Sequence, residues 1–125
     1  MAKILVVDDS GLSRRTLRKI LEAQGHEVQE SGDGDSALEQ YFLDKPDIVL
    51  LDLVMRGMHG FDVLSKLRQM DQEARIIVAS ADIQSSTHAM VKAAGAVAFV
   101  TKPFSAEQVI EAVNAAIEGE SYGIE

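Results

Sequence analysis

Short, unbroken apolar runs alternate with amphipathic stretches along the chain. Ile4, Leu5, Val6 and Val7 form the first run, which stops at Asp8, Asp9, Ser10 and Gly11. From Ser13 to Gln24 the spacing predicts a helix, with Leu12, Leu17, Ile20 and Leu21 on one face and Arg14, Arg15, Arg18 and Lys19 on the other. Gly25 ends it. Glu27 to Glu30 has a single apolar centre at Val28, as an exposed edge strand would. Asp35 to Asp44 is predicted helical, with Ala37, Leu38, Tyr41 and Phe42 inward, until Lys45, Pro46 and Asp47 break it. Ile48 to Leu51 is a fully apolar run, as a strand buried on both faces requires. The scheme then repeats. Phe61, Leu64 and Leu67 mark a helix ending near Met70, and Arg75 to Ala79 a strand. Ile83 to Ala94 is a weaker helix closed by Gly95, and Val97 to Val100 the last strand. Ser105 caps a final helix with Val109, Ile110, Val113 and Ile117 inward. Five strand–helix units at this spacing predict an α/β fold, a doubly wound parallel sheet with helices on both faces. Residues 120 to 125 lie beyond the pattern.

Composition narrows the class. The chain has 125 residues, 46% hydrophobic and 26% charged, which suits a single globular domain over residues 1–125. It has no cysteine, so neither a disulfide nor a thiolate metal site is possible, and a cytoplasmic setting is expected. Runs such as Ile48 to Leu51 and Ile76 to Ala79 are too short to span a bilayer, and the N-terminal run is not a signal peptide. Neither nucleic acid nor membrane is an expected partner, because twenty acidic residues against twelve basic ones give a net charge of −8.

Candidate chemistry lies where the apolar runs stop: Asp8 and Asp9 after the first strand, Asp52 after the third, Ser80 after the fourth and Lys102 after the fifth. In open parallel α/β sheets, ligands bind outside the carboxyl ends of the strands, where the strand order reverses. If the order is 2-1-3-4-5, the first and third strands are neighbours and the three aspartates converge. Three carboxylates that close together require a cation, and an all-oxygen set with room for water suits Mg²⁺. A carboxylate beside Mg²⁺ can attack a phosphoryl group, while a lysine and a hydroxyl take up charge on the phosphoryl oxygens. Each residue alone is an ordinary turn former, cap or surface charge. Their joint placement is what carries the reading.

The segments Ile4 to Ser10, Pro46 to Met55 with Met58, His59 and Gly60, Ile76 to Ala81, Ala93 to Ala96, and Thr101 to Phe104 occur in the order and spacing of a known family. The chain resembles the receiver domains of two-component response regulators from Lys3 to about Glu118, and looks most like the stand-alone chemotaxis-type members. The resemblance implies the flavodoxin-like five-unit fold with sheet order 2-1-3-4-5. It implies that Asp52 accepts a phosphoryl group from a sensor histidine kinase or phosphotransfer protein. It further implies Mg²⁺ held by Asp9, Asp52 and the Val54 carbonyl, with Asp8 acting through water. Ser80 and Lys102 would bind phosphoryl oxygens, Pro103 would follow Lys102 through a cis peptide, and Phe99 would be the switch aromatic. A monomeric protein would then signal to a downstream target through its fourth helix, last strand and last helix. A phosphorelay or developmental regulator passing the phosphoryl group to another protein is the alternative. In neither case is it a conventional enzyme, since its chemistry is confined to self-phosphorylation and autodephosphorylation.

Two positions depart from the family pattern: Arg56 stands where proline is usual, and Phe99 where tyrosine is more common. The lack of a hydroxyl on Phe99 predicts an inward ring before phosphorylation. The resemblance further implies that Val54 and Asp82 flank the path of an attacking water. Met55 and Met58 read as packing residues, His26, His59 and His88 as solvated surface histidines, and the Arg14 to Lys19 stripe as a solvated helix face or a kinase contact. A flavin carrier would need a phosphate loop where Asp8 and Asp9 stand. A phosphoaspartate phosphatase would need an aspartate two residues after the first and a cap domain. A P-loop protein would need a glycine-rich lysine motif that is absent from the sequence.

Overall fold

The apolar runs form five strands. A computed structural model describes residues 1–55, 59–81 and 84–124. In it, β1 (Lys3–Val7), β2 (Glu27–Ser31), β3 (Ile48–Asp52), β4 (Ile76–Ser80) and β5 (Ala98–Thr101) make one sheet in the order β2-β1-β3-β4-β5. Every pairing is parallel, with Val7 opposite Leu51, Asp52 opposite Ala79 and Ser80 opposite Thr101. The crossovers are α1 (Gly11–Ala23), α2 (Gly34–Asp44), α3 (Gly60–Met70) and α4 (Ser85–Ala93), and α5 (Ala106–Ile117) follows β5. Alternate strand residues supply two cores. Leu5, Val7, Val49, Leu51, Ile76, Val78 and Phe99 join residues of α2, α3 and α4 on one face. Ile4, Val6, Ile48, Leu50, Ile77 and Val100 join residues of α1 and α5 on the other. All five residues of β3 and of β4 are buried, which explains their unbroken apolar sequence.

Local chemistry fixes the helix ends. Side chains of Ser10, Asp33 and Ser105 accept hydrogen bonds from the N–H groups of Ser13, Ser36 and Gln108 at 3.2, 2.8 and 3.4 Å, each cap contributing about 1 kcal/mol. Lys45, in the left-handed region at φ 45°, stops α2 just before Pro46. The Lys102–Pro103 peptide is cis.

Three residues expected inside are outside, and helical geometry gives the reason. The inward stripe of α1 runs through Leu17 and Leu21, so the place one turn earlier falls to Arg14, and Leu12 is 68% exposed. On α2 the stripe is Ala37 and Tyr41, which leaves Phe42, a residue further round, 69% exposed. On α5 the stripe is Val109, Ala112, Val113 and Ala116, with Ile110 half-buried and Ile117 exposed at the helix end. The helix expected to start at Ile83 is described from Ser85, and Ile83 lies outside the described residues.

The segment after α5 has structure of its own. The chain returns to the outer edge of β5, where Tyr122 makes a parallel bridge with Ala98. The Phe99 N–H donates to the Tyr122 carbonyl at 2.9 Å, and the Tyr122 N–H to the Val97 carbonyl at 3.2 Å.

Candidate functional site

Residues from three parallel strands meet at one end of the sheet. Asp8 follows β1, Asp52 is the last residue of β3, and Lys102 follows β5. The Lys102 Nζ lies 3.0 Å from Asp8 Oδ2 and 3.2 Å from Asp52 Oδ2, bridging the two. Both carboxylates are buried, whereas Asp9 is exposed to solvent. One carboxylate oxygen from each of Asp8, Asp9 and Asp52 lies within 4.8 Å of the others. The remaining Asp8 oxygen accepts the Ser10 N–H at 2.9 Å, and Asp52 Oδ1 accepts the Val54 N–H at 3.3 Å. Gly60 lets this end of β3 lie against α3: a Cβ there would sit 2.5 Å from Leu53 Cα and on the carbonyl oxygen of Asp52.

The charges are unbalanced. Burial, and then the neighbouring Asp8 charge, push the Asp52 carboxyl above its ordinary pKa, against the opposing pull of Lys102 and the Val54 N–H. Burial pulls the Lys102 ammonium down, but Asp8 and Asp52 together outweigh it and hold the lysine firmly charged. One ammonium among three carboxylates leaves excess negative charge facing an exposed rim. Oxygen-only donors with one open side fit a hard divalent cation that keeps several waters, and no softer ligand stands in the set.

Ser80 closes β4 and is buried, facing a hollow of about 180 Å³ lined by Leu53, Val54, Phe61, Thr87 and Met90. Val54 is 68% exposed beside Asp52. Arg56, Met58 and Asp82, singled out in the sequence, lie outside the described residues.

Two features escaped the sequence reading. Arg14 is not a solvated stripe residue. Its Nη1 donates to the Asp8 carbonyl at 2.6 Å and its Nε to Glu30 at 3.0 Å, while Arg18 holds the other Glu30 oxygen at 2.6 Å. An arginine at a position of the apolar stripe, three residues before Leu17, was the available signal. His88 is not a solvated surface residue either. Its ring stacks on Phe99 with centroids 3.9 Å apart, and its Nε2 is buried with no hydrogen-bond partner among the described residues. Phe99 itself is 3% exposed. His26 accepts the Ala2 N–H at 3.0 Å, leaving His59 as the exposed histidine of the three.

The lysine-bridged acidic pocket lies at the switch point of an open α/β sheet, the place where domains of this architecture bind their ligands. Residues 4–114 match the family model of the response regulator receiver domain, and the chain belongs to that family. It is 41% identical over 113 residues to the chemotaxis protein CheY of Bacillus subtilis, covering 90% of this chain and 94% of that one. It is 33% identical to the protein PilH of Pseudomonas aeruginosa, covering 95% and 100%. A two-component response regulator of the LuxR family from Aurantimonas superposes with a TM-score of 0.93 at 30% identity, covering 99% of this chain and 90% of that chain. The chemotaxis response regulator CheY4 of Vibrio cholerae does so at 0.87 and 29%, covering 93% and 98%. Membership places the chain in two-component signalling, as a switch and not a conventional enzyme, and receiver domains bind Mg²⁺ at an acidic pocket of this kind.

Proposed function

We propose that the chain is a single receiver domain whose Asp52 accepts a phosphoryl group from a phosphohistidine on a kinase or phosphotransfer protein. The observation that carries this is the Lys102 ammonium reaching both Asp52 and Asp8 beside an exposed Asp9. An Asp52 carboxylate oxygen attacks phosphorus, the new O–P bond forms as the N–P bond breaks, and the departing imidazole keeps the electron pair and takes a proton from water. Lys102 is held charged in advance by Asp8 and Asp52, and would exchange one of these contacts for a phosphoryl oxygen. The Ser80 hydroxyl, at the adjacent strand end, bonds a second oxygen. Asp9, Asp52 and the Val54 carbonyl would hold Mg²⁺ directly and Asp8 would do so through water. The ion supplies neutralisation of the phosphoryl charge.

Similarity to CheY and PilH supports a chemotaxis-type pathway, with a downstream protein bound at the face made by α4, β5 and α5. Incubation with Mg²⁺ and acetyl phosphate should add the mass of one phosphoryl group, and peptide mapping should locate it at Asp52. Asp52→Asn should stay folded and unlabelled. Full labelling of that variant, or labelling of Asp9→Ala without divalent metal, would refute the assignment.

A further inference from the structure

β1 ends at Val7, opposite Ser31 of β2 and Leu51 of β3, and the chain leaves the sheet there. The next two residues carry two of the three carboxylates of the acidic pocket. The ladder reaches Asp8 through its N–H, which donates to the Ser31 carbonyl at 3.1 Å. Beyond that bond the planar peptide between Asp8 and Asp9 can turn as a unit, and its turn sets where the exposed Asp9 carboxylate points.

A side chain of α1 holds this peptide. Arg14 Nη1 donates to the Asp8 carbonyl at 2.6 Å, beside Gly32, where a Cβ would come within 3.3 Å of the same nitrogen. An arginine has many rotamers, and one carbonyl does not select among them. Glu30, on β2, does. Its two oxygens take Arg14 Nε at 3.0 Å and Arg18 Nε at 2.6 Å, while Arg18 Nη1 also holds Glu22 at 2.9 Å. Arg18, and Arg14 with it, keep the Glu30 carboxyl below the ordinary carboxylate range, so the clamp is charged.

We propose that Glu30 is a positioning residue for the Mg²⁺ pocket, acting through Arg14 on the Asp8–Asp9 peptide. The inference rests on the reading of Asp8, Asp9 and Asp52 as the Mg²⁺ site and adds a residue of the edge strand to it. The sign of the effect separates positioning from plain electrostatics. A positive charge beside an acidic pocket repels a divalent cation, so charge alone would make Arg14→Ala bind Mg²⁺ more tightly. Loss of positioning makes it bind more weakly, since groups that orient metal ligands typically carry about ten- to a hundredfold in affinity.

Mg²⁺ titrations followed by NMR test this on the native protein, Glu30→Gln, Arg14→Ala and the double variant. Glu30→Gln keeps the shape but offers one oxygen where two are used, and should weaken Mg²⁺ binding by about tenfold. Arg14→Ala should weaken it at least as much, and the double variant no further than Arg14→Ala alone. Without metal, the Asp8 carbonyl carbon and Asp9 amide signals should shift in all three variants. Arg18→Ala is the control for general damage: it breaks two salt bridges of the same network but leaves Arg14 on Glu30. It should lower Tm yet keep Mg²⁺ affinity within about twofold of native. Tighter binding by Arg14→Ala, losses that multiply in the double variant, or an Arg18→Ala loss as large as that of Glu30→Gln would overturn the proposal and leave the Mg²⁺ reading standing. If Mg²⁺ shifts no signal at Asp9 or Asp52 of the native protein, that reading falls and the proposal with it.

Discussion

Replacing Gly60 with alanine should damage the site from behind. Gly60 opens α3, and its N–H donates to the Leu53 carbonyl at 3.1 Å. An added Cβ would lie 2.5 Å from Leu53 Cα, where ordinary contact begins at 3.4 Å, and would also meet the Asp52 carbonyl oxygen. Both obstacles are backbone, so no side chain can swing aside, and either α3 or the end of β3 must shift by about an ångström. Overpacking of this kind costs about 1–3 kcal/mol, which in a domain of this size lowers Tm by about 4–12 °C. Misplacing a reacting group by about 1 Å costs up to about a hundredfold in rate, so labelling of Asp52 by acetyl phosphate should slow by about 10- to 100-fold. Gly25→Ala is the control: its φ of 86° strains an alanine, but nothing lies within 4 Å of the new methyl. That variant should lose about 1 kcal/mol and label at the native rate. Calorimetry and timed mass spectrometry on the two proteins suffice. A Gly60→Ala protein that labels as fast as Gly25→Ala would refute the steric argument.

The charges in the pocket give three more predictions. Because the Asp52 pKa is raised in the folded state, its contribution to stability is present below the ordinary value of 3.8 and is lost as pH rises through the folded value. Asp52→Asn should therefore raise the urea midpoint at pH 7, with a gain that shrinks to nothing in acid; a gain independent of pH would disprove the linkage. Lys102→Met leaves Asp8 and Asp52 buried without their cation, and with the lysine side chain only 22% exposed the loss should be about 3 kcal/mol. Added Mg²⁺ should restore part of it in thermal melts, and indifference to Mg²⁺ would argue against a metal at these carboxylates. Arg14→Ala removes the bonds to the Asp8 carbonyl and to Glu30 and should cost about 1–2 kcal/mol while weakening Mg²⁺ binding measured by NMR titration. Arg14→Lys, unable to span both acceptors, should rescue little; native Mg²⁺ affinity in both variants would limit Arg14 to packing.

The strands were legible because parallel strands covered on both faces must be apolar throughout, and few other elements produce runs like Ile48 to Leu51. The strand ends then pointed to Asp8, Asp9, Asp52, Ser80 and Lys102 together, since each apolar run stops on a polar residue at the same edge of the sheet. Periodicity was less reliable for the rims of helices. It marks a stripe but not its width, so Phe42, beside the inward Tyr41, and Ile117, at the end of α5, were expected inside. Arg14 and His88 were misread for a different reason. Their partners, the Asp8 carbonyl with Glu30 and the Phe99 ring, lie on other elements, and no local pattern reveals such pairings. The segment at Tyr122 is too short for any periodicity to show.

A parallel sheet has two outer strands, and unpaired outer strands are where protein molecules stick to one another. β2 is protected by its own polarity, with Glu27, Gln29 and Glu30 among its five residues. β5, made of Ala98, Phe99, Val100 and Thr101, has no such charge, and its outward backbone groups at Phe99 and Val97 are met instead by Tyr122. The same short contact that joins Tyr122 to β5 thus occupies backbone groups that a second copy could otherwise meet. A state that frees this edge would offer its backbone groups to a second molecule.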